Sequence, residues 1–358
     1  MHEVHDAVIG FMDGSGAASF DGLALSVFAH QFDRIEAYRK FCVGRGRTPD
    51  NVRTWTEIPA VPILAFKHLV LCCAEPERVF LSTGTTAGPA LRSAHRMPDL
   101  RLYHRSALAG LRRFLFPDVE RLTLAVLIHS PAERPDSSLS QMAGWAVEEF
   151  GTADSDWLVR GTAIDHERCL EVLRAAERSG RPLCLMATTA ALIRVLDWMR
   201  ERDLAVRLPH GSRVMDTGGD KGAPRPMSRN GLLHACWAAF AVPGYFVVNE
   251  YGMAELSSQF YDSVIFDRVR GRHAPRVKLG PPWTRTLVVD PATLQPVAEG
   301  ERGLLCHFDL ANAGTAMAVL AEDVGRAAGE GFELLGRAAA AEVRGCSLAL
   351  AEMKEGSA

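Results

Sequence analysis

Between residues 99 and 251, short apolar runs alternate with longer stretches of helical period, and this alternation constrains the fold more than any other feature. Asp99 is placed to cap a helix whose apolar positions are Leu100, Tyr103, Ala107, Leu111 and Phe114. Residues 122–128 form a short apolar run. Asp165 caps a helix through Cys169, Val172, Leu173 and Ala176 that ends near Gly180. Residues 182–187 read as a strand, Thr188 or Thr189 as the cap of a helix reaching Arg202, and Val214-Met215 as a strand. Residues 232–242 read as a helix and 245–248 as a strand. Strands separated by helices favour an α/β fold with largely parallel pairing.

The flanks differ. Residues 28–43 place Phe28, Phe32, Ile35, Tyr38 and Cys42 near one helical face, so one helix is expected there. The connector Ile58-Pro59-Ala60-Val61-Pro62-Ile63 cannot continue it. Beyond Tyr251, residues 286–289 and 304–308 read as strands joined by Pro- and Gly-containing turns, which suggests a small β-rich subdomain. With 358 residues, the chain is long enough for two domains or for one large domain with an appendage.

Composition excludes several classes. Hydrophobic residues make up 47% and charged residues 23%, ordinary values for a globular chain. Forty Lys and Arg against 43 Asp and Glu show no basic excess, so no nucleic-acid partner is expected. The Arg- and His-bearing stretch 92–113 reads as the wet face of an amphipathic helix. Eight cysteines include no C-x-x-C pair and no Cys/His spacing suited to zinc. With no signal peptide at the start, they are expected to be reduced thiols in a cytoplasmic protein. The longest apolar stretch, 232–248, is broken by His234 and by Pro243-Gly244, so no membrane span is expected.

Five segments carry candidate chemistry. Ser82-Thr83-Gly84-Thr85-Thr86-Ala87-Gly88 packs four hydroxyls and two glycines into seven residues. Such a loop can wrap phosphate oxygens with N–H groups and hydroxyls, or be an ordinary surface turn. No Lys follows Gly88, so it is not the Gly-Lys-Ser/Thr phosphate loop. Tyr251-Gly252-Met253-Ala254-Glu255 follows an apolar strand, where open α/β folds place ligand groups. Tyr251 can stack on a planar base, and Glu255 is a hard donor for Mg²⁺; a capped strand end with a solvated Glu is the plainer alternative. Asp216-Thr217-Gly218-Gly219-Asp220-Lys221-Gly222 is a strand running into a Gly-rich turn, which permits close approach of a flat ligand or simply a left-handed turn. Asp323 can accept from a ribose diol and Arg337 can fork onto a phosphate, although lone residues of these types are commonly surface groups. Cys346 lies near Arg344 and Arg337, cations that raise a thiolate fraction; otherwise it is an inert buried thiol.

In this order the segments resemble the adenylate-forming superfamily of acyl and aryl ligases. Ser82 to Pro89 is similar to its Ser-Thr-Gly-Thr-Thr-Gly loop and Tyr251 to Glu255 to its Tyr-Gly-x-Thr-Glu motif. Within it the chain looks most like acyl-protein synthetases of the LuxE type. That likeness includes residues 62–67, Arg92-Ser93-Ala94-His95, Thr217 to Gly222, Glu255-Leu256-Ser257-Ser258-Gln259 and Gly345-Cys346.

The resemblance implies a large α/β domain over residues 1–322, with parallel-rich sheets, flanking helices and a small β-rich subdomain. A truncated C-terminal stub over 323–358 would follow. It implies ATP and Mg²⁺ as cofactors and a fatty or aryl carboxylic acid as substrate. The acid would become an acyl-adenylate and then a thioester on Cys346, for an acyl reductase or acyl-carrier partner. By the same resemblance Ser82, Thr83, Gly84, Thr85 and Thr86 would hold the phosphates. Gly218 and Gly219 would line the adenine slot with Tyr251, and Gly252 would also contact the ATP or AMP. Glu255 would hold Mg²⁺, Asp323 the ribose, and Arg337 the ribose or α-phosphate. Ala87 interrupts the loop, Ala254 replaces the usual Thr, and no Lys follows Pro89. The superfamily's C-terminal domain with its catalytic Lys is not matched, as in other LuxE-type chains, and Lys221 is the candidate replacement cation. Two other readings remain: a ligase that passes the acyl or aryl group to coenzyme A or an amine, and a non-catalytic nucleotide-binding scaffold.

Overall fold

The computed structural model describes residues 2–82, 92–219, 223–338 and 350–354. The chain divides into two compact units. The first comprises Met1–Ala107, Met253–Gln259 and Val277–Ala358; the second comprises Leu108–Gly252 and Phe260–Arg276.

The second unit holds the alternation anticipated above. Strands Asp156–Trp157, Thr123–Leu127, Leu183–Thr188, Arg213–Thr217 and Val247–Tyr251 lie side by side in that order, all parallel. Phe260–Asp262 then adds antiparallel to Val247–Tyr251. Arg213–Thr217 is buried along its whole length, and Leu183–Thr188 along all but its last residue. That is why residues 183–187 read as a continuous apolar run rather than an alternating one, whereas Arg213–Thr217 buries Arg213 and Asp216 beside Val214 and Met215. Helices Ser138–Phe150, His166–Ser179, Thr189–Glu201 and Arg229–Phe240 connect or flank them. Their first turns are closed by Ser137, Asp165, Thr188 and Ser228, each accepting an N–H three residues on. Gly180 ends the second of these helices at φ 68°, the left-handed cap that glycine adopts without a Cβ clash.

Buried charges pin this unit. Asp216, 1% exposed, accepts from Arg229 at 2.5 Å, Asn249 at 2.9 Å and Thr189 at 2.9 Å. Arg229 also reaches Asp262 at 3.1 Å, and Arg276 donates to the same carboxylate. Arg213 is fully buried, and its guanidinium is satisfied by Asp118, Leu115 O and Gly211 O.

The first unit is helical at its start and β-rich later. Antiparallel strands Thr284–Val289, Arg302–Asp309, Ala318–Ala328 and Gly331–Arg337 neighbour one another in that order, with Lys278–Leu279 beside the last. Val61–Pro62 adds parallel to Ala318–Ala328, Val61 opposite Val319. Arg78–Leu81 and Ala94–Met97 form a separate antiparallel pair.

The single helix expected over residues 28–43 is two: Phe20–Arg34 and Glu36–Gly44. Ile35 is extended at φ −108°, ψ 98°, and ends the first while starting the second. The break brings Phe28 edge-on to Tyr38 at 6.1 Å, while Ile35, Phe28 and Tyr38 are all buried. Periodicity alone carries through such a kink, because both halves bury the same kind of face.

Candidate functional site

In the first unit, Arg78–Leu81 delivers the chain to Ser82. The Ser82 N–H donates to Ser93 O and the Ser93 N–H to Ser82 Oγ, each at 2.9 Å. Arg92 adds hydrogen bonds to the carbonyls of Leu81 and Ser82. Ser82 therefore closes the neck of the hydroxyl-rich loop. Thr83, Gly84, Thr85 and Thr86 lie outside the described residues.

Ser93 links this neck to Glu255. The Glu255 carboxyl is 4% exposed and accepts a hydrogen bond from the Ser93 side chain. Burial pushes its pKa up; the Ser93 hydroxyl, its own backbone N–H and the charges of Lys67 and Arg337 pull it back down. Among the described residues no group of three or more His, Cys, Asp or Glu could hold a metal. A lone carboxylate beside the neck of a hydroxyl-rich loop would suit Mg²⁺ that arrives on a ligand's phosphates and keeps its waters, rather than a cage built by protein alone.

The segment bearing Glu255 is held from three sides. His95 Nδ1 lies 2.7 Å from Ala254 O and His95 Nε2 3.0 Å from Thr315 Oγ1. A carbonyl only accepts, so Nδ1 carries the ring proton, and Nε2 accepts from the Thr315 hydroxyl. Burial lowers the His95 pKa to about 4, which keeps the ring neutral. Asn312 donates to Glu255 O and accepts from the Ser257 N–H, both at 2.9 Å. Asp309 accepts from the Ser258 N–H and hydroxyl, both at 2.7 Å, and burial raises its pKa to about 6.

On the same unit, Asp323 and Arg337 face each other across the Ala318–Ala328 and Gly331–Arg337 strands, Nε to Oδ1 at 3.6 Å. Asp323 is mostly buried, whereas Arg337 is 64% exposed.

In the second unit, Arg213–Thr217 and Val247–Tyr251 run parallel with Thr217 beside Glu250, and Thr217 donates to the Glu250 carboxylate. Gly218, Gly219, Tyr251 and Gly252 therefore follow at the same carboxyl end. Gly218 has φ 76°, and a Cβ built on either glycine meets nothing within 4 Å. The turn offers open space directly over its backbone. The Thr189 hydroxyl, 2.9 Å from Gly218 O and 3.1 Å from Thr217 O, fixes its shape. The Tyr251 ring is 6.1 Å from Phe260 and largely buried. Lys221 lies outside the described residues.

The structure thus gathers Ser82, Glu255, Arg337 and Asp323 in the first unit and Gly218, Gly219, Tyr251 and Gly252 in the second. Cys346 lies outside the described residues. The seven described cysteines are free thiols, and burial pushes Cys42, Cys73, Cys169, Cys184 and Cys236 up to about 12. Asp309, Asn312 and Thr315 were not singled out by sequence; Lys67 entered only within the family-like stretch 62–67, and Thr189 only as a possible helix cap. The polar break Asp309-Leu310-Ala311-Asn312 after an apolar strand was the one available signal. No described helix is long and apolar enough to cross a membrane.

The family described as "Acyl-protein synthetase, LuxE" matches residues 17–354. The long-chain-fatty-acid–luciferin-component ligase of Aliivibrio fischeri is 22% identical over 310 residues, 85% of this chain and 78% of that protein. The Vibrio harveyi protein of the same name is 20% identical over 92% of this chain and 86% of its own length. Among solved structures, a 2-hydroxyisobutyryl-CoA ligase in complex with 2-HIB-AMP and CoA superposes with a TM-score of 0.63 at 16% identity. The match covers 90% of this chain and 68% of that one, and shows the fold.

Proposed function

The chain belongs to the LuxE acyl-protein synthetase family, and from that premise we propose that it uses ATP to activate a long-chain fatty acid as an acyl-adenylate, then transfers the acyl group to Cys346. The observation that carries the reading is the buried Glu255 carboxyl, hydrogen-bonded to Ser93 at the loop neck and faced by Lys67 and Arg337.

In this reading the loop from Ser82 through Thr83, Gly84, Thr85 and Thr86 holds the phosphates. Gly218 and Gly219 lie against the adenine with Tyr251, and Gly252 also contacts the nucleotide. Asp323 accepts from the ribose hydroxyls, and Arg337 meets the ribose or the α-phosphate. Glu255 would hold Mg²⁺, whose charge offsets that of the phosphates when bound.

The chemistry follows from charge. A carboxylate that approaches the α-phosphate meets a polyanion, so fixed cations and oriented dipoles must be present before reaction. The resulting mixed anhydride has AMP as a good leaving group. The Cys346 thiolate then attacks the acyl carbonyl, forms the C–S bond and releases AMP. The five thiols that burial pushes up to about 12 are poor nucleophiles at neutral pH. An acyl reductase or acyl-carrier protein would receive the group.

The test is incubation with ATP, Mg²⁺ and a labelled fatty acid, followed by hydroxylamine treatment. A hydroxylamine-labile adduct that disappears in Cys346→Ala supports the reading. Turnover that requires free coenzyme A and ignores Cys346 replaces it with a coenzyme A ligase. Nucleotide binding with no pyrophosphate exchange across many acids replaces it with a scaffold.

A further inference from the structure

Lys67 ends the 3-10 turn Ile63–Lys67, which follows the two-residue strand Val61–Pro62. That strand is fixed in register on Ala318–Ala328, the strand carrying Asp323, with Pro62 opposite Leu320. The turn packs on that strand and on Ala94–Met97. Phe66 is buried edge-on to His95 at 5.8 Å, and His95 holds the carbonyl of Ala254, the residue before Glu255. Two neighbouring chain positions, Phe66–Lys67 and Ala254–Glu255, are thus bridged by one imidazole, all within the first unit. Lys67 is half-buried, its charge reaches Glu255, and among the described residues it makes no ion pair. The packed turn thus carries Lys67 into the neighbourhood of the buried carboxyl, where no described residue forms an ion pair with it.

The loop that should face the phosphates has no Lys after Pro89, and Ala254 stands where a hydroxyl is usual. We propose that Lys67 is a catalytic residue of adenylation, its ammonium meeting the α-phosphate and the incoming carboxylate. This rests on the reading of Glu255 and the loop given under Proposed function. In the step, a carboxylate oxygen forms a bond to the α-phosphorus while the bond from that phosphorus to the bridging oxygen breaks. Pyrophosphate leaves with the bonding electrons, and no proton moves. Two anions merge at one phosphorus, so a fixed cation there stabilises the transition state more than the separate reactants. Lysine suits the position because it is a compact point charge that can follow the phosphorus as its geometry changes.

The test uses the full chain as parent, Lys67→Met, Lys67→Gln and Lys67→Arg. Pyrophosphate exchange is measured with a panel of straight-chain fatty acids, ATP binding by calorimetry, and thioester formation from synthetic palmitoyl-AMP. The expected result for Lys67→Met and Lys67→Gln is an exchange kcat lowered about 100-fold. ATP affinity should stay within about threefold, and labelling from palmitoyl-AMP should be unchanged. Lys67→Arg should recover about tenfold of the loss. Measuring two neutral variants keeps a folding defect in one of them from deciding the result. Exchange within about threefold of the parent in either folded neutral variant overturns the role. ATP affinity weakened in proportion to kcat also overturns it, since Lys67 would then only balance Glu255. A parent that exchanges with no acid overturns the reading of the whole site, and the role of Lys67 with it.

Discussion

Arg337 and Asp323 stand directly opposite in an antiparallel pair, with the Arg337 Nε 3.6 Å from the Asp323 Oδ1. The pairing register shifts between Val324 and Gly325, so the alignment exists only because a bulge there takes up one residue. A Cβ on Gly325 would stand 2.7 Å from Glu333 O and 2.7 Å from Leu305 Cδ2, so the bulge requires glycine. The carboxylate is largely buried and the guanidinium exposed, an arrangement suited to a ligand that arrives from solvent.

With Arg337 exposed and the two groups 3.6 Å apart, this ion pair contributes little to stability, about 0–1 kcal/mol. Asp323→Ala and Arg337→Ala should therefore unfold in urea close to the parent. If Asp323 holds the ribose, its loss should raise the ATP KM about tenfold or more, the effect of removing one charge-assisted hydrogen bond. A stability loss above about 2 kcal/mol with ATP KM unchanged would make the pair structural instead.

Gly218 offers a sharper test of nucleotide approach. Its φ of 76° costs an L residue about 1–2 kcal/mol, and the space above it is open. Gly218→Val should therefore fold with a modest loss. It should nevertheless weaken AMP binding about tenfold, because branched methyls would occupy the space over the turn. Calorimetry with AMP checks this; unchanged affinity would remove the turn from the site.

Arg229 reaches two carboxylates, Asp216 and Asp262, that are 1% and 4% exposed. Arg229→Ala takes the cation from Asp216, leaves Asp262 to Arg276, and should destabilise by about 3–5 kcal/mol in urea denaturation. The second parallel strand pair, Arg213–Thr217 with Val247–Tyr251, should lose amide protection first, since Asn249 and Asp216 share that network.

Acid should destabilise the fold through buried imidazoles. Burial lowers His30 and His95 from 6.5 to about 4 and His307 from 6.5 to about 3. Between those values the unfolded chain binds protons that the folded chain does not, so stability falls as pH drops from about 6.5 toward 4. Asp309, raised from 3.8 to about 6, and Glu255, raised by burial, act in the opposite sense. The three histidines outnumber these two carboxyls, so a net loss of thermal midpoint is expected across this window. His307→Gln, lacking one such imidazole, should show a shallower acid slope.

Thiol chemistry separates the cysteines. Cys42, Cys73, Cys169, Cys184 and Cys236 should resist alkylation at neutral pH in the native protein and react on unfolding, by mass spectrometry. Rapid native labelling of any of them would contradict their burial.

Much of the second unit was legible because its signals are local. The caps Asp165 and Thr188 and the terminator Gly180 act within a few residues, and the buried strand Leu183–Thr188 is apolar through residue 187 from its own side chains. The kink at Ile35 was not legible, since periodicity persists through it. Within the site, Tyr251 to Glu255 and Ser82 to Gly88 stood out as compact motifs. The groups that hold Glu255 did not. His95 meets Ala254 across 159 positions, and Asp309 meets Ser258 across 51.

What the sequence determined by itself is therefore the alternation of strands and helices, their caps, and the order of the motifs. Each depends on backbone sterics and short-range hydrogen bonds that a residue carries with it. What only the tertiary structure decided is which charges and dipoles face one another: Lys67 and Arg337 toward Glu255, and Arg337 opposite Asp323. Those relations come from strand register and from the burial that strengthens electrostatics, and neither can be read from positions so distant along the chain.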